Sequence, residues 1–259
     1  YATRKGAKEG PKYIRKASGN RLCFSREKKV FCVEAEKGKI KTKLHDAGNI
    51  KKNNLEIFLD RLSNSQIPII LGGDHSISYP VIKSLSKKFK NLVIIHLDAH
   101  PDLISSTKYD FGSVMNDILN LKDFQSKQII QIGIRSIEEE ERINLIKDKI
   151  TFFSALDLYE MGVSQIIKKL KKQVKNSPIY LSIDLDVIDP AFAPGVDTPA
   201  SFGLSGNEYL SLITKISNNF KLIGFDIMEL SPKYDIQQRT AQVAAQSIIE
   251  ILASLKKNI

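Results

Sequence analysis

The chain has 259 residues, 42% of them hydrophobic, which is enough to bury a sizeable core. α/β folds of this length commonly form one domain, so residues 1–259 are read as a single domain with no membrane span, since no apolar run nears the roughly 20 residues one needs. The formal net charge of +10 rests on dispersed lysines such as Lys87-Lys88, Lys168-Lys169 and Lys171-Lys172 without a nucleic-acid-binding motif beside them, so solvated helix faces are expected and a specific nucleic-acid partner is not.

No signal-peptide pattern is visible at the start, and a cytoplasmic protein is expected. Cys23 and Cys32, the two cysteines, read as reduced thiols in such a compartment. In chain order, Pro11 suits the opening of a helix, and residues 30–35 and 40–44 read as short strands. Leu55, Ile57 to Leu59 and Leu62 give the apolar face of a helix that leads into a strand at 67–71. That strand runs into Gly72-Gly73-Asp74-His75-Ser76, whose glycines permit a tight turn. A helix follows from about 78 to 89, and 92–97 is a strand buried on both faces. Glu138 to Glu141 reads as the first turn of a solvated helix, where acids suit the dipole. Residues 150–153 form a strand and Val163–Val174 a helix. A strand starts at Ile179, the last strand is Lys221–Met228, and a terminal helix runs to about Leu255. This βα alternation predicts a three-layer αβα fold with a mainly parallel central sheet.

Three of these strands end in side chains that bind metals. After 92–97 come Asp98, His100 and Asp102, which project to one side if the extended geometry persists; Pro101 cannot donate to a ladder, so pairing should stop there. The strand from Ile179 ends in Asp184 and Asp186, and the turn after 67–71 presents His75. Strand C-termini are where open α/β sheets place their sites. Four crowded carboxylates raise one another's pKa and cannot all stay ionised, whereas two divalent cations would neutralise them. Oxygen-rich ligation with some imidazole suits Mn²⁺ and leaves Fe²⁺, Co²⁺ and Zn²⁺ open. The set reads as a two-metal hydrolytic site. His96 reads as a buried, hydrogen-bonded histidine below it and not as a ligand; His45 reads as structural.

Gly72-Gly73-Asp74-His75-Ser76, Asp98-Ala99-His100-Pro101-Asp102 and Ser182-Ile183-Asp184-Leu185-Asp186-Val187-Ile188-Asp189-Pro190 resemble, in order and spacing, the three signature motifs of the ureohydrolases, the arginase and agmatinase family. The likeness runs from about Gly6 to the C-terminus. It implies one Mn²⁺ on His75, Asp98, Asp102 and Asp184 and another on Asp98, His100, Asp184 and Asp186. A hydroxide bridging the metals would attack a guanidinium carbon and release urea and an amine, with Asp102 orienting it and passing a proton to the amine. Glu229, within Gly224-Phe225-Asp226-Ile227-Met228-Glu229-Leu230-Ser231-Pro232, would ion-pair with the guanidinium. Asp235 and Arg239-Thr240-Ala241 resemble the family's opening of the terminal helix. Residues 4–15 resemble a segment that follows the family's first strand, so that strand is expected to be missing. A homo-oligomer, trimer or hexamer, is also implied.

The chain departs from the family's pattern in places. Phe111 stands in Lys108-Tyr109-Asp110-Phe111-Gly112-Ser113-Val114-Met115 where agmatinase-like members resemble Lys-Tyr-Ser-His-Ala-Cys-Val-Met, and the family's histidine is thought to shuttle protons or orient substrate. Activity then persists at a lower rate, or Asp110 or Tyr109 takes over the proton, or the chain is an impaired relative. Phe111 could also hold a guanidinium by cation–π attraction worth about 0.5 to 2 kcal/mol, so Phe111 and Asp110 join Glu229 as candidate substrate contacts. Asp197 occupies a position usually glycine and adds negative charge near the pocket. The arginase pattern that grips an amino acid's α-groups is absent, and Ile132-Gly133-Ile134-Arg135-Ser136 resembles the agmatinase side. Agmatine, cleaved to urea and putrescine, is the expected substrate. Guanidinobutyrate, formiminoglutamate, arginine, or a non-catalytic metal-binding role are the alternatives.

Overall fold

Short runs of isoleucine, leucine and valine recur along the chain, and such side chains pack well on a pleated surface buried on both faces. In the computed structural model, which describes residues 4–22, 44–106, 110–122 and 124–255, these runs form a sheet flanked by helices. The elements in order are α1 (Gly10–Leu22), α2 (Lys52–Asp60), β1 (Ile69–Leu71), α3 (Ser78–Lys88), β2 (Val93–Leu97), α4 (Val114–Leu119), β3 (Ile129–Ile134) and α5 (Glu139–Lys147). They continue with β4 (Thr151–Ser154), α6 (Ala155–Met161), α7 (Val163–Val174), β5 (Pro178–Asp184), α8 (Gly206–Asn219), β6 (Lys221–Met228) and α9 (Arg239–Ser254). The six strands lie in the order β1-β6-β5-β2-β3-β4, each pair parallel.

The strand period of two sorts side chains between two cores. Along β2, Val93, Ile95 and Leu97 enter one core while Ile94 enters the other; along β5, Ile179, Leu181 and Ile183 oppose Tyr180 in the same way. α1 and α6 to α9 close the first core, and α2 to α5 close the second. The expected αβα architecture with a parallel sheet is therefore found. The order also sets the site. Chain order runs outward from β2 through β3 and β4, then returns on its other side through β5 and β6, and such a reversal opens a crevice at the strand C-termini. β1, β6, β5 and β2 stand side by side there.

Two expectations need correction. Ile57 is 56% exposed, and α2 instead buries Leu55 and Leu59, because it starts at Lys52 and a 3.6-residue period from Leu55 reaches Leu59 and not Ile57. The lysines of α7 are exposed as expected, but Lys88 is not merely solvated. Its Nζ donates to the carbonyls of Leu59, Asp60 and Leu62 at 2.6, 3.1 and 2.8 Å, capping α2 where a cation suits the dipole. The strands expected at 30–35 and 40–44, both cysteines and Tyr109 lie outside the described residues, apart from Leu44, which is in no strand. No helix among the described residues is long and apolar enough to cross a membrane.

Candidate active site

Four adjacent strand ends converge on one point. After β1, Gly72 lies so close to Met228 that a side chain there would collide with its sulfur, and the turn that follows carries His75, with Asp74 accepting from the Ser76 amide at 3.1 Å. β2 ends at Leu97, so Asp98, His100 and Asp102 sit on a turn and not on extended strand as the alternation suggested. Asp102 has the left-handed φ of 54°, and its carbonyl accepts the amides of Met115 and Asn116 at 3.0 and 3.2 Å. The first turn of α4 thus holds the ligand turn in place. β5 delivers Asp184 and, in the 3-10 turn after it, Asp186.

Backbone amides pin one oxygen of three of these acids and free the other. Asp98 Oδ1 accepts from His100 N at 2.6 Å, Asp184 Oδ1 from Asp186 N at 2.8 Å, and Asp186 Oδ1 from Ala99 N at 2.9 Å. The Oδ2 atoms meet imidazole nitrogens. His75 Nδ1 lies 3.1, 3.4 and 3.5 Å from Oδ2 of Asp98, Asp184 and Asp102, and His100 Nδ1 lies 2.9 Å from Asp186 Oδ2 and 3.5 Å from Asp98 Oδ1. At the site His75 Nδ1, His96 Nε2, Asp98 Oδ2 and Asp102 Oδ2 are buried without a hydrogen-bond partner. Buried polar atoms left so are costly, and a cation among them would satisfy all at once. Two groups of potential ligands emerge, His75-His96-Asp98-Asp102 and Asp98-His100-Asp186, and Asp98 is common to both. The donors fit a pair of divalent ions.

Distance alone would admit His96 to the first group, but a hydrogen-bond argument excludes it. Gln131 Nε2 donates to the Pro101 carbonyl at 2.6 Å, so it is an NH₂ group, and it meets His96 Nδ1 at 3.1 Å as a donor too. The ring hydrogen is then on Nε2, 2.9 Å from Asp98 Oδ2, and a nitrogen carrying hydrogen is no ligand. On this argument His96 is a buried histidine below the site.

The electrostatics follow from this crowding. Burial, then the charges of neighbouring carboxylates, pushes Asp102 and Asp184 well above the usual carboxylate range and Asp186 above it. Asp98 goes the other way; burial opposes ionisation, yet the rings of His96, His100 and His75 hold its pKa well down. Burial also opposes charge on His75, but the Asp184 and Asp98 carboxylates beside its ring raise it well above the ordinary value, and Asp186 carries His100 to about 12 against burial. Cations bound here would reverse these shifts, favouring the ionised acids and the neutral imidazoles.

Glu229 completes the wall. It follows β6, between the strands bearing His75 and Asp184, with a left-handed φ of 65°. Its amide donates to the Gly73 carbonyl at 2.9 Å and its Oε1 accepts the His75 amide at 2.7 Å. Burial pushes it up to about 8, with Asp197 and Asp74 adding to the rise and His75 opposing. A small cavity is lined by His75, His100, Asp102, Asp184, Asp186, Glu229, Phe111 and Thr198.

The profile of the Arginase family matches residues 1–254. The chain belongs to the arginase family. It is 33% identical over 263 residues to the agmatinase of Blochmanniella floridana, covering 96% of this chain and 82% of that protein. It is 28% identical over 266 residues to the mitochondrial guanidino acid hydrolase of Homo sapiens, with coverage of 99% and 75%. The solved agmatine ureohydrolase of Thermoplasma volcanium superposes with a TM-score of 0.83 at 31% identity, covering 97% of this chain and 84% of that one. This is an agmatinase-like ureohydrolase, a hydrolase acting on guanidino C–N bonds in a metal-dependent family.

Against the arginase-family pattern, the structure places the departures one by one. Phe111 lines the cavity. Asp110 does not; it is exposed, its Oδ1 accepts the Gly112 amide at 3.2 Å, and it caps the 3-10 turn Phe111–Ser113. The expected contact of Asp110 with substrate therefore has no support from the cavity lining, and one of its carboxylate oxygens serves the cap. Asp197 is buried beside the site loop, with Oδ2 accepting the Ala7 amide at 3.2 Å and Oδ1 without a partner. Sequence reading left Thr198, which lines the cavity, Arg135 and Ser182 inside motifs without a role. For Ser182 a signal was present: a small polar residue at an interior position of a strand otherwise buried and apolar.

Proposed function

We propose that the chain is a binuclear manganese amidinohydrolase that cleaves agmatine to urea and putrescine. The observation that carries this reading is the pair of potential ligand groups that share Asp98 and present His75, Asp102, His100 and Asp186 to a cavity lined also by the acids Asp184 and Glu229. His75, Asp98, Asp102 and Asp184 would hold one ion and Asp98, His100, Asp184 and Asp186 the other. When bound, the ions supply a water activated near neutral pH for attack on the guanidinium carbon. Glu229 has one oxygen on the His75 amide, and the other is left to pair with a guanidinium, whose charge would draw the Glu229 pKa back down. Asp102 would hand a proton to the nitrogen of the breaking C–N bond. The phenyl face of Phe111 would lie against the guanidinium, worth about 0.5 to 2 kcal/mol.

Among the described residues lining the cavity, none is lysine or arginine. A substrate with a carboxylate would lack a partner there, and Asp197 adds negative charge nearby, so the decarboxylated amine agmatine is favoured over arginine and guanidino acids. The match to the human guanidino acid hydrolase keeps an acid substrate as the second reading. The test is urea release by Mn²⁺-loaded protein across agmatine, arginine, guanidinobutyrate and guanidinopropionate, with ammonia and formamide measured for formiminoglutamate and Asp102→Ala as control. Turnover of agmatine above the others, lost in the control, is expected. Preference for an acid would install the second reading, and silence on all substrates with both ions bound would install a non-catalytic metal-binding role.

A further inference from the structure

We infer that Asp226 is a positioning residue of the metal centre, acting through Ser182 to fix which nitrogen of His75 faces the ions. The inference rests on the metal-centre reading above. It starts from sheet register. His96 is the partner of Gln131 across β2 and β3 and of Ser182 across β2 and β5, and Ser182 is the partner of Asp226 across β5 and β6. These four polar side chains, all fully buried, form a row across a sheet of otherwise apolar interior positions. Polar groups buried this way destabilise a fold unless each finds partners.

Asp226 finds four. Oδ2 accepts from Ser78 Oγ at 2.7 Å and Tyr180 Oη at 2.8 Å, and Oδ1 accepts from Ser182 Oγ at 2.9 Å and Ile183 N at 3.0 Å. A carboxylate has no hydrogen to give, so it sets the direction of the chain that starts from it. Ser182 spends its single hydrogen on Asp226 and meets His75 Nε2, 2.8 Å away, as an acceptor. The ring hydrogen of His75 is thereby held on Nε2. The lone pair falls on Nδ1, the atom that faces Asp98, Asp184 and Asp102. Metal-binding histidines commonly have the other ring N–H held by a carboxylate or carbonyl; here a serine stands between ring and carboxylate.

The test is Mn²⁺ affinity, by competition with a chelator, of the full chain and of Ser182→Ala, Asp226→Asn and the double variant. Each single change is expected to weaken binding about 10- to 100-fold. The double variant should be no weaker than Ser182→Ala, because Asp226 acts through that hydroxyl; additive losses would overturn the inference. ¹⁵N-histidine NMR of the Zn²⁺-loaded protein gives a readout that a merely structural role would not move. The chain has four histidines, and the ring hydrogen of His75 is expected on Nε2; finding it on Nδ1 also overturns the inference. If Asp226→Asn fails to fold, Ser182→Ala and the NMR assignment still decide. Unchanged affinity in Ser182→Ala with tight binding by the parent chain refutes the positioning role alone, whereas failure of the parent chain to bind Mn²⁺ or Zn²⁺ refutes the metal-centre reading beneath it.

Discussion

Replacing Arg135 with methionine removes the clamp between two loops of the site. Its Nη2 donates to the carbonyls of Asp186 and Ala200 at 2.6 and 2.7 Å, Nε to Ser201 at 2.9 Å, and Nη1 to Gly133 and Val187 at 3.1 and 3.4 Å. The three short bonds join the turn that carries Asp186 to the loop just beyond Thr198. A hydrogen bond from a charged donor contributes about 1.5–3 kcal/mol net, so three sum to roughly 4.5–9. Water would reach the Ser201 carbonyl in the variant, and losses within one cluster are not additive, which reduces the expected cost to about 3–5 kcal/mol. For a chain of this size that corresponds to a fall in Tm of roughly 6–20 °C. The assay is thermal unfolding of the metal-free protein followed by circular dichroism, with Arg135→Lys beside it. An ammonium cannot reach carbonyls in three directions from a planar fork, so lysine should recover only part of the loss. A Tm within 2 °C of the parent for methionine, or full recovery by lysine, would refute the clamp.

Phe111→His returns an imidazole to the cavity wall; if proton transfer limits turnover, kcat on agmatine should rise by about 10²-fold, within the usual range for general acid–base groups. An unchanged kcat would locate the limit elsewhere. Loading Mn²⁺ should release protons, because His75, His100, Asp102, Asp184 and Asp186 all have raised pKa values without metal. Groups with raised values hold protons that ions must displace, so apparent affinity should climb with pH and fall as pH drops; calorimetry in buffers of differing ionisation heat counts the protons, and a heat independent of buffer would contradict the account. Asp197→Gly removes a buried negative charge near Glu229, and the ratio of kcat/KM for guanidinobutyrate over agmatine should rise several-fold, or about 1 kcal/mol of discrimination. A ratio that does not move would show that Asp197 does not act on selectivity.

β6 and α7 have the limits expected from sequence, Lys221–Met228 and Val163–Val174, because both are strongly patterned: a mostly apolar, buried stretch broken only by Gly224 and Asp226 in one, and apolar positions at 3.6-residue spacing with lysines between in the other. β3 was harder to see, since Gln131 and Gly133 interrupt its isoleucines; the glutamine is there to serve Pro101 and His96, and the glycine, at φ 101°, lies against Val187. α8 went unmarked although Ser205 and Glu208 make a capping box at its start. At the site, residue types revealed which side chains gather but not how. The alternation of Asp98, His100 and Asp102 resembles a strand, yet the geometry comes from a turn with a left-handed aspartate, a feature with no signature in a pattern of polar and apolar letters. The capping role of Asp110 was hidden for a similar reason, because an acid beside a cavity and an acid capping the adjacent turn look alike until the amide it accepts from is known.

The choice between a catalyst and a mere metal binder turns on Glu229. Crowded buried carboxylates destabilise a metal-free fold, so retaining them argues for bound ions, but both readings share that feature. Glu229 is in neither group of potential ligands. Its left-handed backbone costs of order 1–3 kcal/mol for a residue other than glycine, and its burial, which pushes the carboxyl up to about 8, adds a further penalty for ionisation. Holding the His75 amide offsets part of these costs, but no lysine or arginine among the described residues lining the cavity pairs the charge. A cation that arrives with the substrate offsets both, since a guanidinium pairs with the free oxygen and favours the ionised form. An apolar residue at position 229 would end the ionisation penalty but strand the buried His75 amide that Oε1 accepts, so it is the second oxygen, which a guanidinium would pair with, that favours a catalyst.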